Sequence, residues 1–407
     1  MQNLPNRFLR ITGSKNQLLR RLELLRVSKS ERQSEGHVLV QGIKTVQELA
    51  NKGHSIRTLG ITYDENNLPI QSPALDIVQG STILEREPDR SSSGTPTKPG
   101  SIAGKIVFKA DQYVAASRKL TTRILGTDSR IAEHEVWAEV AIPDYGYLFS
   151  PSGSSRDVSG TATATLSGRK KSHRPSWMRD EECEIQKMLV LDRISDPGNM
   201  GLLIRAGMAL NWHGSWHTPG TVDEYNNKVV RASRALCLDW PTKTGGWKEL
   251  GEFLEGNGMT LLVADMIPRW ILDQSEPLTA ASAASSTETS SATKLNMNGL
   301  VWWNWPDNLP RTRLPSKVAL LMGSEHHGVN IGTSDENGAV NQDDQKEKDR
   351  LLEKAIRVSI PMNAAVESMN VATAATAMMW ELNRLLSQGT AEVTSSDALQ
   401  IFDRLVK

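Results

Sequence analysis

The chain has 407 residues, and its 47 Lys and Arg residues balance its 47 Asp and Glu residues, giving a formal net charge of zero. This length favours two domains, and the neutral balance excludes nucleic-acid binding through overall positive charge, so any RNA-binding surface must be a local patch. The two cysteines, Cys183 and Cys237, lack the paired spacing of a zinc site, and no apolar run approaches the about 20 residues that span a bilayer, so we expect a soluble protein without a disulfide framework.

The chain begins with a basic segment. Five basic residues precede the first acidic residue, Glu23: Arg7, Arg10, Lys15, Arg20 and Arg21. Such a bias resembles that of mitochondrial presequences. A solvated basic helix, or an arm that faces RNA, explains the bias equally well, because domain-like sequence already begins near Ile11.

The first domain is predicted over residues 11–148 as a small α/β fold, because helix-like and strand-like patterns alternate there. Gln17–Val27 has the apolar spacing of an amphipathic helix, and His37–Val40 is typical of a strand. A Ser-, Pro- and Gly-rich stretch at about residues 85–104 cannot support a packed core, so we expect an insertion there.

Low-complexity segments divide the rest of the chain. Residues 149–183 are expected to be the interdomain linker, and their basic tract at 169–174 is either plainly solvated or a tether that touches RNA phosphates. Further segments at about 272–299 and 331–349 are expected to be surface insertions, and residues 389–407 a C-terminal tail.

The second domain is predicted over residues 184–388. Four short apolar runs are separated by helix-like stretches such as Trp247–Leu254. The runs are Met188–Leu191, Ala235–Leu238, Met259–Ala264 and Lys317–Met322. This βα alternation predicts a largely parallel sheet covered by helices, and hence an α/β fold.

A first motif at Leu189–Ala206 predicts a strand, a tight turn and a helix. Asp196 or Asn199 can cap the helix, and Gly198 permits the turn. The free N–H groups of a helix N-terminus suit an anion, and Arg205 lies one to two turns further along. The apolar face of the helix is expected to include Leu202, Ile204 and Ala209. By itself the pattern also fits an ordinary capped helix with a surface arginine.

A second motif, Ala319–Gly328, predicts an apolar strand that ends in a turn with two glycines five residues apart. At the carboxyl ends of parallel strands such turns let the backbone approach a ligand. Glu325 in this turn can accept hydrogen bonds from a cofactor, a substrate or a neighbouring helix.

A third motif, Ile356–Asn370, precedes a predicted helix over Val371–Leu386. Small and apolar residues recur along one face of this helix, which is typical of a core or a dimer interface. Ser368 and Asn370 stand at its start, where either can be a cap, but two such residues are more than a cap requires.

Together the three motifs resemble the SpoU or TrmH branch of the SPOUT methyltransferases, whose pattern is DPxNxGxxxR, then GxExxG, then IPMxxxxxSxNVxxA. This sequence supplies DPGNMGLLIR, GSEHHG and IPMNAAVESMNVATA in the same order, over about residues 185–388. The first domain is similar to the substrate-binding domain that precedes many members, although Gln41 replaces the usual acidic residue before Gly42.

The resemblance implies a deep trefoil knot in the second domain, an exception to the rule that chains avoid threading loops. It also implies S-adenosylmethionine as cofactor, a ribose 2′-hydroxyl of RNA as methyl acceptor, and a homodimer. By position, the cofactor-binding residues are Met322, Gly323, Ile360, Met362 and Met369, and the catalytic residues are Asn199, Arg205, Glu325, Ser368 and Asn370. No metal is needed for this chemistry.

The role of Arg205 follows from its chemistry. An arginine side chain stays charged in proteins, which makes it a poor base. We therefore expect Arg205 to clamp an RNA phosphate and orient the ribose, while a hydrogen-bonded neighbour or the RNA itself assists proton loss. His213 and His217 stand four residues apart without a third ligand, so a half-buried structural role is expected for them.

Three functions stay open on the sequence: an active ribose methyltransferase, a catalytically silent paralogue that binds RNA in ribosome assembly, and an α/β enzyme with another cofactor. The absence of GxGxxG and GxxxxGK[ST] loops disfavours the third. The two-domain layout favours rRNA over tRNA. The Ser- and Thr-rich insertions suggest a eukaryotic chain, and the basic start then favours mitochondrial rRNA, with the cytoplasm as the alternative location.

Overall fold

The structure is a computed structural model that describes residues 8–63, 109–127, 131, 135–149, 184–266, 295–297, 300–306, 309, 314–324, 342–363, 366 and 368–388. The chain divides into two compact units. The first unit comprises Met1–Pro143 and Tyr225–Ala235, and the second comprises Asp144–Glu224 and Leu236–Lys407. The short segment from Tyr225 thus leaves the second sequence domain and packs with the first unit, which the sequence patterns did not suggest.

The first unit is a five-stranded sheet flanked by helices. Its elements in chain order are β1 (Phe8–Ile11), α1 (Gln17–Val27), α2 (Lys29–Glu35), β2 (His37–Gln41), α3 (Ile43–Asn51), β3 (Ile56–Tyr63), β4 (Ala110–Ser117), α4 (Arg118–Leu125) and β5 (Val136–Ala141). The strand order is β1-β4-β3-β5-β2. Strands β1, β4 and β3 are parallel, and β5 runs antiparallel to both of its neighbours.

Helix α1 has the bounds that its apolar spacing predicts. Asn16 begins it, because its side-chain oxygen accepts hydrogen bonds from the backbone N–H groups of Leu18 and Leu19. Every third residue from Leu19 is buried against the sheet, which gives the helix a narrow apolar stripe. The buried residues of the stripe are Leu19, Leu22 and Leu25. The predicted strand at His37–Val40 is present as β2.

The second unit is built on an eight-stranded sheet. Its elements are a 3₁₀ turn (Gly146–Phe149), β6 (Lys187–Asp192), α5 (Pro197–Ala209), β7 (Gly214–His217), a 3₁₀ turn (Leu236–Leu238), β8 (Thr242–Thr244), α7 (Trp247–Gly256), β9 (Thr260–Ala264), β10 (Leu295–Met297), β11 (Leu300–Trp303), β12 (Val318–Gly323), α8 (Gln342–Lys354), β13 (Ile356–Ser359) and α9 (Val371–Gln388). Helix α6 (Asn227–Ala232) belongs to the first unit.

The strand order of this sheet is β10-β11-β13-β9-β12-β6-β7-β8. Six neighbouring strands, from β13 to β8, are parallel, and β10 and β11 form an antiparallel pair at one edge. The predicted α/β class with a largely parallel sheet is therefore confirmed. The trefoil knot stays a prediction, since the path it requires passes through residues outside the described ranges.

One predicted strand is wrong. Ala235 lies in a turn and Leu236–Leu238 forms a 3₁₀ turn, because Arg234 and Ala235 adopt positive φ angles of 55° and 59°, which break an extended chain. A strand that alternation did not predict, β7, stands between β6 and β8. Its polar residues Ser215 and His217 are buried, and a 2.9 Å hydrogen bond joins Ser215 Oγ and His217 Nε2.

The expected insertions are only partly visible. Helix α8 begins inside the segment at 331–349 and buries Leu351 and Leu352, so its second half is part of the core. Strand β10 falls in the segment at 272–299 and pairs with β11. The insertion at 85–104 and the tail at 389–407 lie outside the described residues, as does nearly all of the linker. No helix in the described ranges is long and apolar enough to cross a bilayer.

Candidate active site

A cavity of about 150 Å³ lies at the carboxyl ends of the parallel strands β9, β12 and β13 in the second unit. Strand β12 ends there with Met322 and Gly323, and β13 leads into Ile360. The chain between Ile360 and α9 adds Met362 and Met369. All five residues that the sequence predicts as cofactor-binding therefore line one cavity.

The lining of this cavity is mainly apolar and rich in methionine. Besides the three predicted methionines, Met266 and Met378 contribute to it. Asp265 is the one charged residue among the described lining residues. Its Oδ2 forms an ion pair with Nη1 of Arg357 at 2.7 Å, which holds the carboxylate at the end of β9. A mostly apolar pocket with one fixed charge is typical of small-molecule sites.

Sequence reasoning missed Asp265. It follows directly on the apolar run of β9, and a carboxylate at the end of a parallel strand was the feature that could have identified it.

The first motif forms a turn that begins α5. Of the two candidate caps, Asp196 is the one used: its Oδ1 accepts a 2.7 Å hydrogen bond from the backbone N–H of Asn199, and Pro197 occupies the first turn. The side chain of Asn199 is consequently not needed as a cap. Its Oδ1 accepts a 2.9 Å hydrogen bond from Nδ2 of Asn370.

Asn370 joins the third motif to the first. Its Oδ1 accepts hydrogen bonds from the backbone N–H groups of Ala372 at 3.0 Å and Thr373 at 3.3 Å, which makes it the cap of α9. Its amide nitrogen is left for Asn199. Ser368, two residues earlier, is exposed and lines the cavity. Three of the five predicted catalytic residues thus lie at or beside the cavity.

Arg205 lies in a separate open groove of about 1200 Å³ between α5 and α9. Ile360 lines both the groove and the cavity, so the two are adjacent. Within the described part of the chain, the half-buried guanidinium of Arg205 has no hydrogen bond or ion pair. Glu325, the fifth predicted catalytic residue, lies outside the described residues.

The apolar face predicted for α5 is only partly right. Ile204 is buried, but Leu202 and Ala209 are exposed and line the groove. The helix buries the opposite face, where Gly207 lets the ring of Trp240 pack directly on the backbone. Because α5 is apolar on both faces, the pattern alone did not say which face meets the core.

The two histidines have structural surroundings. His217 is buried beside Ser215, and Nδ1 of His213 accepts a 3.0 Å hydrogen bond from the backbone N–H of Gln186. Burial, and then the charge of Lys187, lower the pKa of His213 to about 4. No group of three possible metal ligands occurs among the described residues.

Residues 186–338 match the sequence model of the SpoU rRNA Methylase family. This segment is similar to the SpoU methylases. It contains the first two motifs and the strands β6 to β12, while the third motif, which completes the cavity, follows it in the chain.

The curated relatives of this chain are distant. An uncharacterised tRNA/rRNA methyltransferase of Synechocystis is 42% identical over 53 residues, which are 13% of this chain and 19% of that protein. The mitochondrial rRNA methyltransferase 3 of Xenopus tropicalis is 24% identical over 218 residues and covers 48% of each chain. The chain therefore spans about half the length, or less, of the curated relatives that it matches.

Solved structures share the fold. The SpoU methyltransferase AviRb from Streptomyces viridochromogenes, in complex with AdoMet, has a TM-score of 0.54 at 18% identity and covers 91% of this chain and 98% of its own. An AdoMet-bound rRNA methyltransferase from Sinorhizobium meliloti has a TM-score of 0.51 at 15% identity, with 93% and 98% covered. The chain therefore shares its fold with these two methyltransferases, as predicted.

Proposed function

We propose that the chain transfers the methyl group of S-adenosylmethionine to a ribose 2′-hydroxyl of RNA. The observation that carries this proposal is the cavity, which collects all five predicted cofactor residues beside the Asn199–Asn370 hydrogen bond. The AdoMet-bound structures of AviRb and the Sinorhizobium enzyme, which share the fold, add support.

The cavity suits this cofactor chemically. S-adenosylmethionine supplies a methyl group on a positively charged sulfur. The methionine-rich walls offer polarisable contacts to an adenine ring and a thioether-like chain. Asp265, whose charge is paired with Arg357, presents carboxylate oxygens that can accept hydrogen bonds from polar groups of the ligand.

The polar residues at the rim orient the acceptor. Arg205, charged and unpaired within the described residues, is placed to hold an RNA phosphate through its planar fork of donors. Asn199 and Asn370 fix the edge of the site between the groove and the cavity. Ser368 lies at the cavity wall, where its hydroxyl can hydrogen-bond the ribose or take part in proton loss. Catalysis then rests on alignment of the hydroxyl with the methyl group.

The first unit offers a local basic patch for RNA. Strands β1, β2 and β4 run in the same direction, so the residues that follow them share one edge of the sheet. Exposed lysines follow each of the three strands: Lys15 after β1, Lys44 after β2 and Lys119 after β4. A neutral chain with such a cluster binds phosphates locally, and this binding should weaken as salt rises.

The groove between α5 and α9 supports a homodimer. Trp380 is 63% exposed and Leu202 is 48% exposed, and both line this groove. A contiguous apolar surface of this kind on a folded domain typically marks a protein interface. We assign it to a second copy of the chain, which would place Arg205 at the boundary between the two subunits.

The substrate is proposed to be rRNA, and the compartment the mitochondrion. The matched family is an rRNA methylase family, and the Xenopus relatives are mitochondrial rRNA methyltransferases. Cell fractionation that places the protein wholly in the cytosol would remove the mitochondrial part of the proposal.

The deciding experiment measures methyl transfer from labelled S-adenosylmethionine to total RNA and to mitochondrial RNA, followed by nucleoside digestion. Wild type is compared with Arg205→Ala, and Arg350→Ala on α8 is the matched control for loss of an arginine. We expect label in a 2′-O-methylated nucleoside that disappears only in Arg205→Ala. Cofactor binding without methyl transfer would indicate the silent RNA-binding paralogue. Label found in tRNA would show that the substrate is tRNA and not rRNA.

A further inference from the structure

A buried ion pair lies in the second unit, at the end of strand β6 next to the cavity strand β12. Lys348 on α8 places Nζ 3.3 Å from Oδ2 of Asp192, and the two side chains are 5% and 3% exposed. The other carboxylate oxygen of Asp192 accepts a 2.6 Å hydrogen bond from Oγ1 of Thr218. Nζ of Lys348 also lies 5.0 Å from the ring centre of Trp247. Both charges are thus removed from water, and each has a second polar or aromatic contact besides the ion pair.

Stability alone gives no reason for this pair. Two charges lose their hydration on burial, and apolar residues of similar volume are often at least as stable in the same place. Helix α8 already buries Leu351 and Leu352 in the core. Its neighbouring lysine, Lys346, keeps its side chain 77% exposed. What a buried pair adds is a single allowed geometry, because any displacement of α8 leaves a charge without its partner.

The pair stands where that geometry matters for the cavity. Asp192 is the last residue of β6 and lies in register with Gly323, a cavity residue on β12. The next residue, Arg193, has a φ of 56° and starts the turn that leads to Asn199. Helix α8 leads through β13 to Ile360 on the other side of the cavity. The ion pair therefore joins the first motif, through Asp192, to the helix that precedes the third motif, through Lys348.

We propose that Lys348 and Asp192 are positioning residues, which hold the turn of the first motif and the end of β12 in the geometry that the cofactor requires. The cofactor part of this inference rests on the proposed function. Neither residue lines the cavity, so both act through the backbone that they fix.

The test compares Lys348→Met, Asp192→Asn and the double variant with wild type. Each single change leaves a buried charge unpaired and should lower the melting temperature strongly. The double change removes both charges, so its melting temperature should return to within a few degrees of wild type. Its affinity for S-adenosylmethionine should nevertheless fall about tenfold or more. Amide hydrogen exchange should rise over residues 193–199 and 323–324, whether or not cofactor is present.

Lys317→Met is the matched control. Lys317 pairs with Glu184 at the opposite end of the same two strands, far along the sheet from the cavity. Its loss should leave exchange at 193–199 and cofactor affinity unchanged. Should the double variant fail to fold, Thr218→Val, which removes one hydrogen bond to Asp192 and keeps the volume, carries the same readouts.

The outcomes separate the two proposals. Wild-type exchange and wild-type affinity in the double variant would overturn the positioning role and leave the pair a core contact. A wild-type protein that binds no S-adenosylmethionine would refute the proposed function, while local exchange in the double variant would still decide the role of the pair.

Discussion

The side-chain amide of Asn370 makes two different interactions, one through its oxygen and one through its nitrogen, and substitutions can separate them. Its oxygen caps α9, and its nitrogen donates to Asn199 across the site. Asn370→Ala removes both interactions. Asn370→Ser keeps a capping oxygen but cannot reach Asn199, and Asn199→Ala removes the link while the cap of α9 stays.

The expected costs follow from these contacts. Loss of the cap costs about 1 kcal/mol. The link is exposed, so its hydrogen bond contributes about 0.5 kcal/mol. Asn370→Ala should therefore lose about 1.5 kcal/mol, or about 3–6 °C in melting temperature, and Asn370→Ser or Asn199→Ala about a third of that. Activity should not follow stability, because a small misplacement at the site costs about tenfold to a hundredfold in kcat/KM.

The assay is a double-mutant cycle between Asn199→Ala and Asn370→Ser, read by denaturant unfolding and by methyl transfer. We expect the two changes to be non-additive in both, with each single variant about as inactive as the double. Full activity in Asn370→Ser, or a loss of stability equal to that of Asn370→Ala, would show that the amide does not have these two roles.

Three further predictions concern the second unit. Because the pKa of His213 is about 4 in the folded state and about 6.5 when unfolded, the unfolded chain takes up the proton first. The free energy of unfolding should thus fall as pH drops from about 6.5 towards 4, by up to about 3 kcal/mol more in wild type than in His213→Asn. The asparagine oxygen of this control can accept the same hydrogen bond from the backbone N–H of Gln186. Trp380→Glu should convert a dimer to a monomer in light scattering, whereas Leu24→Glu, a change of similar exposure in the first unit, should not. Gly207→Ala places a carbon 2.5 Å from the ring of Trp240 and should cost about 1–3 kcal/mol in thermal unfolding, while unchanged stability would mean that the ring moves freely.

Much of the fold follows from local patterns. The amphipathic spacing of α1, the apolar runs of β6, β9 and β12, and the capping residues at the helix starts are each set by neighbours within a few residues. The five residues that the motifs predict to bind cofactor meet in one cavity, because the carboxyl ends of parallel strands share an edge.

Other features could not be predicted from local sequence patterns, because they depend on residues that are distant in the sequence. The choice of face on α5 depends on Trp240, which packs on Gly207. The segment around Lys348 has the composition of a solvated insertion. Lys348 is nevertheless buried, and its charge is balanced by Asp192, 156 residues away in the sequence.

The α/β class, the order of the motifs and the kinds of side chain in the site can all be predicted from the amino-acid sequence, because periodicity and turn chemistry are local properties. Which of these residues touch is set by the packing of the folded chain. Asn199 and Asn370 lie 171 residues apart, and whether they meet depends on strand order and helix packing. Those depend on burial summed over the whole unit, which no local pattern contains.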